Sequence, residues 1–263
     1  GNQWAMTYTG YTSSGGCKQA PEVEADIASI AAKGFTTVRL YAPDCSTLQN
    51  VGSSCAAHGL KMVLGVYISS TGIGSDTDAQ IAEITSWGQG QWDLVEMVVF
   101  GNEAIFNGYV SSDELVGAIA SAKSSLQSAG YTGPVTTTEP LNIIQEYADQ
   151  ICPVVDVIAA NMHPFFNPET TAETAGTFVA SSLESLAACC NNEKDAYNLE
   201  TGWPSQGEAD GAAVPGIQNQ KTAITNIINS AGSKCALFSF ENDYWKEPGP
   251  LDVEQYWGCA DLF

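Results

Sequence analysis

Two glutamates stand where apolar runs end. Glu103 follows Val98-Val99-Phe100-Gly101-Asn102, and Glu200 follows Asn198-Leu199. A carboxyl backed by a hydrophobic wall has its ionised form disfavoured, which raises its pKa and suits Glu103 to general-acid work. A second carboxylate across a cleft completes a pair fit for glycosidic bond cleavage: one protonates the leaving oxygen while the other attacks or activates water. Either glutamate alone reads equally as a solvated loop acid. The chemistry therefore depends on a fold that brings both to one rim.

Short β-rich runs alternate with longer helical periodicity from one end of the chain to the other, the pattern of a parallel sheet with crossover helices. Strands are predicted at Gln3–Thr9, Thr36–Ala42, Lys61–Ser69, Leu94–Glu103, Val135–Glu139, Val155–Met162, Ala196–Thr201 and Cys235–Glu241. Helices are predicted at Pro21–Lys33, Ser46–His58, Thr77–Trp87, Ser112–Ala129, Ile143–Ile151, Ala172–Cys189 and Gly216–Ala231. Ser111-x-x-Glu114 reads as a capping box, and Gly34, Gly59, Gly130 and Gly232 as C-terminal stops. This alternation predicts an α/β chain, a (β/α)8 TIM barrel with an abbreviated last helix, as a single catalytic domain over residues 1–263. A doubly wound open sheet is the alternative, but the run Gly10–Gly16 does not supply its usual GxGxxG turn.

In a barrel, reactive groups belong at the carboxyl ends of the strands. Those ends carry Tyr41, Asn102-Glu103, Glu139, His163, Glu200, and Glu241 with Asp243. Glu103 and Glu200, on the fourth and seventh strands, then face each other across the mouth. Arg39 and Tyr41 are two apart on one strand and share a side, the interior if Val38 and Leu40 face the helices. A guanidinium there would keep Glu200 ionised and fix its rotamer, although a purely structural ion pair predicts the same acidic partner. Tyr8, Tyr41, Phe165, Phe166, Trp203 and Trp245 fall near strand ends, where flat rings could stack on sugar faces. Trp203 is the leading choice and Phe166 is preferred to Phe165, with core packing the competing reading for each.

The 263 residues carry a formal charge of −21, which repels phosphate backbones and anionic membrane surfaces. Neither nucleic acid nor membrane is expected as a partner. Arg39 is the only arginine, so a neutral ligand fits better than a phosphorylated one. Eight cysteines without CxxC spacing and two histidines far apart argue against zinc, and no metal or cofactor is expected. The even count suggests disulfides and an oxidising compartment, with buried free thiols the other reading. Cys45 and Cys55 could close a local loop, and Cys189 and Cys190 are expected to have separate partners. A secreted, extracellular or cell-wall protein, in mature form and monomeric, is expected.

Val99-Phe100-Gly101-Asn102-Glu103 and Leu199-Glu200-Thr201-Gly202-Trp203-Pro204-Ser205 resemble the two catalytic signatures of glycoside hydrolase family seventeen, the β-1,3-glucanases and glucanosyltransferases of plants and fungi. The likeness extends to Val38-Arg39-Leu40-Tyr41, to Asn161-Met162-His163-Pro164-Phe165-Phe166 and to Trp245-Lys246, so it spans nearly the whole chain. The resemblance implies a retaining mechanism on β-1,3-glucan with Glu103 as acid/base and Glu200 as nucleophile, ending in hydrolysis or glucanosyl transfer. Asn102 could donate to the sugar 2-hydroxyl. Asp243 stands where the family commonly has a longer acid, three before Lys246, and Glu241 where an apolar residue is usual. His163 replaces a common tyrosine and could bond a sugar or Glu200, or merely pack. Two other readings stay open: a non-catalytic wall-glucan-binding protein, and a barrel glycosidase for another β-glycan.

Overall fold

The computed structural model describes residues 2–263. Eight parallel strands, β1 (Ala5–Thr7), β2 (Thr37–Arg39), β3 (Lys61–Val66), β4 (Val95–Asn102), β5 (Val135–Thr138), β6 (Ile158–Asn161), β7 (Ala196–Thr201) and β8 (Cys235–Leu237), pair in the order β5-β4-β3-β2-β1-β8-β7-β6. The remaining edges, β5 and β6, meet through Asp156 N–H to Val135 O at 3.0 Å, Asn161 N–H to Glu139 O at 3.0 Å and Thr136 Oγ1 to Val157 O at 2.7 Å. These bonds bring the sheet to near closure as a (β/α)8 barrel, the predicted fold.

Among the described residues eight α-helices surround the sheet: α1 (Ala20–Ala32), α2 (Thr47–His58), α3 (Ser75–Gly88), α4 (Ser112–Ser128), α5 (Leu141–Glu146), α6 (Ala148–Ile151), α7 (Ala175–Ala188) and α8 (Ile217–Ala231). After β8 the chain runs irregularly to a single 3-10 turn, Ala260–Leu262, the abbreviated last helix. The predicted box forms: Glu114 N–H donates to Ser111 Oγ at 3.1 Å and Ser111 N–H to Glu114 Oε1 at 3.0 Å. The predicted helix at Ile143–Ile151 is two pieces, because Tyr147 leaves helical geometry at φ −113°, ψ 21°. Ile144 and Ile151 nevertheless enter one buried cluster, which is why the periodicity ran straight through the break. Gly232 is not a left-handed stop: its φ is −56°, and a Cβ there would sit 2.7 Å from Asn2 O. Its glycine is required by close approach, not by conformation.

Strand alternation divides two apolar layers. Val38, Leu40, Met62, Leu64, Val98 and Phe100 pack outward against the helices, while Ala5, Val63, Met97, Val99, Val157, Ala159, Leu199 and Ala236 fill the barrel with Trp4. Trp4 Nε1 and Thr37 Oγ1 both donate to Glu96, at 3.2 and 2.7 Å, and so anchor the amino-terminal floor. Apolar filling below leaves polar side chains concentrated at the opposite mouth.

Two disulfides form, Cys17–Cys45 and Cys152–Cys190. The suggested Cys45–Cys55 loop is corrected: Cys55 lies on α2 and buries its free thiol in the outer core, whereas Cys45 precedes that helix and joins the loop after β1. Cys189, Cys235 and Cys259 are also free. The expectation of separate partners for Cys189 and Cys190 is also corrected: only Cys190 is bridged, and the Cys189 thiol stays free on the turn just past α7. No helix among the described residues is long and apolar enough to cross a membrane.

Candidate active site

Glu200 is the most densely supported carboxylate of the mouth. It is the penultimate residue of β7 and faces inward, 9% exposed. Its Oε2 accepts the Tyr41 hydroxyl at 2.8 Å and Arg39 Nη1 at 3.4 Å, and its Oε1 lies 2.8 Å from His163 Nε2. Val38 and Leu40 face the helices, so strand alternation turns Arg39 and Tyr41 inward together. Burial works against ionisation of Glu200. The His163 hydrogen bond and the nearby charges of Arg39 and Lys246 outweigh it, holding the carboxyl down at about 2.

Glu103 sits in the opposite environment. Burial raises its pKa first, and the Glu200 charge adds to that, pushing it up to about 7. The end of β4 is irregular: its pairing with β5 shifts between Val99 and Asn102, and Gly101 has φ +89°. A Cβ at Gly101 would also approach Ile68 Cδ1 to 3.1 Å. Glu103 itself adopts φ +56°, a left-handed conformation that costs a non-glycine residue on the order of 1–3 kcal/mol and persists only where neighbours impose it. Glu103 N–H donates to Thr138 O at 2.9 Å.

Asn102 links the two acids. Its Oδ1 accepts Arg39 Nη2 at 3.0 Å and Asn161 Nδ2 at 2.8 Å, while Thr138 Oγ1 donates to Asn161 Oδ1 at 2.8 Å. With its oxygen doubly occupied, the amide amino group is the part left to meet a ligand. Asn198, fully buried, accepts the backbone N–H of Met162 at 3.0 Å and of Glu200 at 3.3 Å, fixing the adjoining ends of β6 and β7.

Both glutamates line one cleft of about 1280 Å³. Of the predicted site residues, Tyr41, Asn102, His163, Phe166, Trp245 and Lys246 line it with them. Phe166 and Trp245 are 46% and 36% exposed. His163 is wedged against Trp257 and Phe238, ring centroids 4.9 and 5.6 Å apart. Lys246 Nζ is 3.3 Å from Asp243 Oδ2 and 4.5 Å from the Phe238 ring centroid.

Four residues predicted to bind substrate do not line this cleft, and Arg39, predicted to support Glu200, stands behind it and bonds that carboxylate. Trp203 is fully buried, with Nε1 donating to Val214 O at 2.9 Å and its ring edge-on to Phe165 at 5.3 Å. It lies beyond β7, where alternation no longer constrains direction. Tyr8 follows Met6 onto the helix side by the same alternation, and its hydroxyl donates to Asp26 Oδ2 at 2.6 Å. Glu241 is turned to the buried Lys18, with which it forms an ion pair. Asp243 is 6% exposed and reaches the cleft only through Lys246.

Other cleft residues escaped the strand-end criterion because loops or helices carry them: Tyr11, Tyr67, Phe106, Trp257, Asp44 and Glu254 from loops, Asp76 and Glu83 from α3, and Phe178 from α7. Tyr11 stands edge-on to Trp245 at 5.2 Å. A tyrosine two residues past the predicted first strand, Gln3–Thr9, was a usable signal for Tyr11; nothing local marked Trp257. Among the described residues no group of three or more His, Cys, Asp or Glu side chains could hold a metal ion.

The chain is 51% identical over 263 residues to a protein of Neosartorya fischeri named "Probable beta-glucosidase btgE", covering 100% of this chain and 47% of the relative. An Aspergillus oryzae protein of the same name is 51% identical, again over the full chain and 43% of its own length. The chain thus spans about half the length of the curated relatives it matches. Among solved structures, the glycoside hydrolase family 17 β-1,3-glucanosyltransferase of Rhizomucor miehei superposes with a TM-score of 0.82 at 18% identity, covering 99% of this chain and 94% of its own. An endo-laminarinase from Formosa Hel1_33_131 gives 0.81 at 16% identity, covering 98% and 82%. These likenesses show a common barrel. Residues 5–258 match the BtgE/BtgC glycoside hydrolase domain, and the chain belongs to that glycoside hydrolase family.

Proposed function

We propose that this domain cleaves β-1,3-glucan with retention of configuration, Glu200 acting as nucleophile and Glu103 as acid/base. The carrying observation is two carboxyls on one cleft in opposed surroundings, Glu200 bonded by Tyr41, Arg39 and His163 and held down at about 2, Glu103 pushed up to about 7 by burial and the Glu200 charge. Between those values one acid is charged and the other still holds a proton, the division of labour that double displacement requires. Glu103 protonates the departing glycosidic oxygen while Glu200 attacks the anomeric carbon. Glu103, now a carboxylate, then deprotonates the water or sugar hydroxyl that releases the glycosyl group from Glu200. The amino group of Asn102 donates to the 2-hydroxyl, a bond expected to strengthen as the oxocarbenium-like transition state develops.

Two distant structural neighbours support the linkage: a β-1,3-glucanosyltransferase whose active-site mutant was solved with laminaritriose, and an endo-laminarinase. Exposed aromatic rings along the cleft, Tyr67, Phe106, Phe166 and Trp245, suit a neutral glucan chain. The two disulfides suit a secreted, extracellular or cell-wall setting. Incubation with laminari-oligosaccharides and sizing of the products tests the reading. Shorter products indicate hydrolysis and longer ones glucanosyl transfer, whereas glucose released stepwise from one end would match the β-glucosidase name of the relatives. No turnover of β-1,3-linked chains, with turnover of another β-glycan, would overturn the linkage. Binding without turnover of any glycan would overturn the enzyme in favour of a glucan-binding protein.

A further inference from the structure

Glu139 directly follows β5 and is fully buried, in a place where the chemistry just described gives it no task. Its own carbonyl accepts Asn161 N–H at 3.0 Å, which fixes it on the seam between β5 and β6. Its carboxylate turns the other way. Oε2 accepts the Ile105 N–H at 2.9 Å and Oε1 the Phe106 N–H at 3.1 Å. Both oxygens are therefore engaged by consecutive backbone donors of the turn that begins at Glu103; burial pushes the Glu139 pKa up, and these amides work against that by favouring the ionised form. The same turn is closed by Asn107 N–H to Glu103 O at 2.9 Å and Tyr109 N–H to Ala104 O at 2.9 Å.

The turn carries two things that a reaction would use. At its start is Glu103, left-handed at φ +56°. Three residues on is Phe106, 58% exposed and lining the cleft. A group that protonates a departing oxygen stands beside the departing sugar, so a ring on the same turn lies on the leaving-group side. We propose that Glu139 is a positioning residue: by gripping the Ile105 and Phe106 amides it aims the Glu103 carboxyl at the leaving oxygen and holds the Phe106 ring as a platform for the leaving or incoming sugar. This rests on the acid/base role proposed for Glu103. Its negative charge also contributes to keeping Glu103 protonated, after burial and the Glu200 charge.

Glu139→Gln keeps the volume but replaces one acceptor by an amino group facing an N–H, so one strand of the grip is lost. The variant is to be compared with the unaltered domain on laminaritetraose and on 2,4-dinitrophenyl β-laminaribioside, whose leaving group needs no proton. A misaimed acid should lower kcat/KM on laminaritetraose by roughly 10–100-fold and leave the aryl substrate within about threefold. Equal losses on both substrates would mean a merely structural role and overturn the proposal. Glu103→Ala, run in parallel, separates the two readings. Selective loss in Glu103→Ala but not in Glu139→Gln overturns the positioning role alone, whereas absence of selective loss in Glu103→Ala removes the acid/base assignment itself. Should Glu139→Gln fail to fold, amide hydrogen exchange in the unaltered domain decides. Ile105 and Phe106 are expected to exchange far more slowly than exposed loop amides, and free exchange at both would overturn the grip.

Discussion

His163 Nε2 lies 2.8 Å from one oxygen of Glu200, and the Tyr41 hydroxyl lies 2.8 Å from the other. His163 Nδ1 is buried without a protein partner, so the tautomer that suits the site carries its proton on Nε2 and donates it to the carboxylate. A hydrogen bond to a charged group contributes about 1.5–3 kcal/mol. Replacing His163 by Phe should therefore raise the Glu200 pKa from its depressed value, move the acidic limb of the kcat/KM profile to higher pH, and lower the rate by roughly 10–100-fold. An acidic limb that stays in place would separate His163 from the ionisation of Glu200.

The paired pKa shifts predict a bell-shaped profile. Activity should rise as Glu200 ionises near 2 and fall as Glu103 deprotonates near 7. Glu103→Gln should abolish the alkaline limb and cost roughly 10²–10⁴-fold on an unactivated glucan. A profile flat through neutrality would contradict the assignment.

Stability should carry the same signature. The Glu103 pKa is raised above its ordinary 4.5, so the native state binds the proton more tightly than the unfolded chain. Its contribution is present below that ordinary value and is lost as pH rises through about 7. Glu200 has the opposite sign: its contribution is present above the ordinary value and lost as pH falls toward 2. Relative to the unaltered domain, Glu103→Gln should thus melt higher at pH 8 than at pH 4, and Glu200→Gln should show the reverse trend. Calorimetry at the two pH values reads both.

The two tryptophans near strand ends should separate by readout. Trp203 is fully buried against Phe165, so Trp203→Ala should destabilise the fold by about 3–5 kcal/mol. Trp245 is 36% exposed on the cleft, so Trp245→Ala should leave the melting temperature nearly unchanged and raise KM for oligosaccharides. The converse pattern would return Trp203 to the cleft.

The Cys17–Cys45 bridge joins the loops after β1 and β2 across a sequence separation of 28. Replacing both by Ser should cost about 3 kcal/mol in denaturant unfolding. Tyr11 and Asp44, hydrogen-bonded beside this bridge, should lose their fixed place at the cleft. A KM for long oligosaccharides that is unchanged in the double variant would show that the bridge does not shape the cleft.

Much of this arrangement was legible from residue order. Alternation of strands and helices gave the barrel, and the Arg39-Leu40-Tyr41 pleat put guanidinium and phenol on the side of Glu200. The same pleat, applied to Met6 and Tyr8, would have turned Tyr8 away from the cleft as the structure does. Trp203 was misread because it lies past the strand, where nothing local fixes direction. Glu241 was misread because its partner, Lys18, is 223 residues distant. Trp257 and Glu254 reach the cleft from an irregular tail whose path is set by tertiary contacts rather than by periodicity.

Azide rescue tests the central assignment most directly, with 2,4-dinitrophenyl β-laminaribioside as donor and the anomer of the product read by NMR. If Glu200 is the nucleophile, Glu200→Ala with azide should give the α-glycosyl azide by a single displacement. If Glu103 is the acid/base, Glu103→Ala should give the β-glycosyl azide by interception of the covalent intermediate. Exchanged anomers, or no rescue in either variant, would contradict the account.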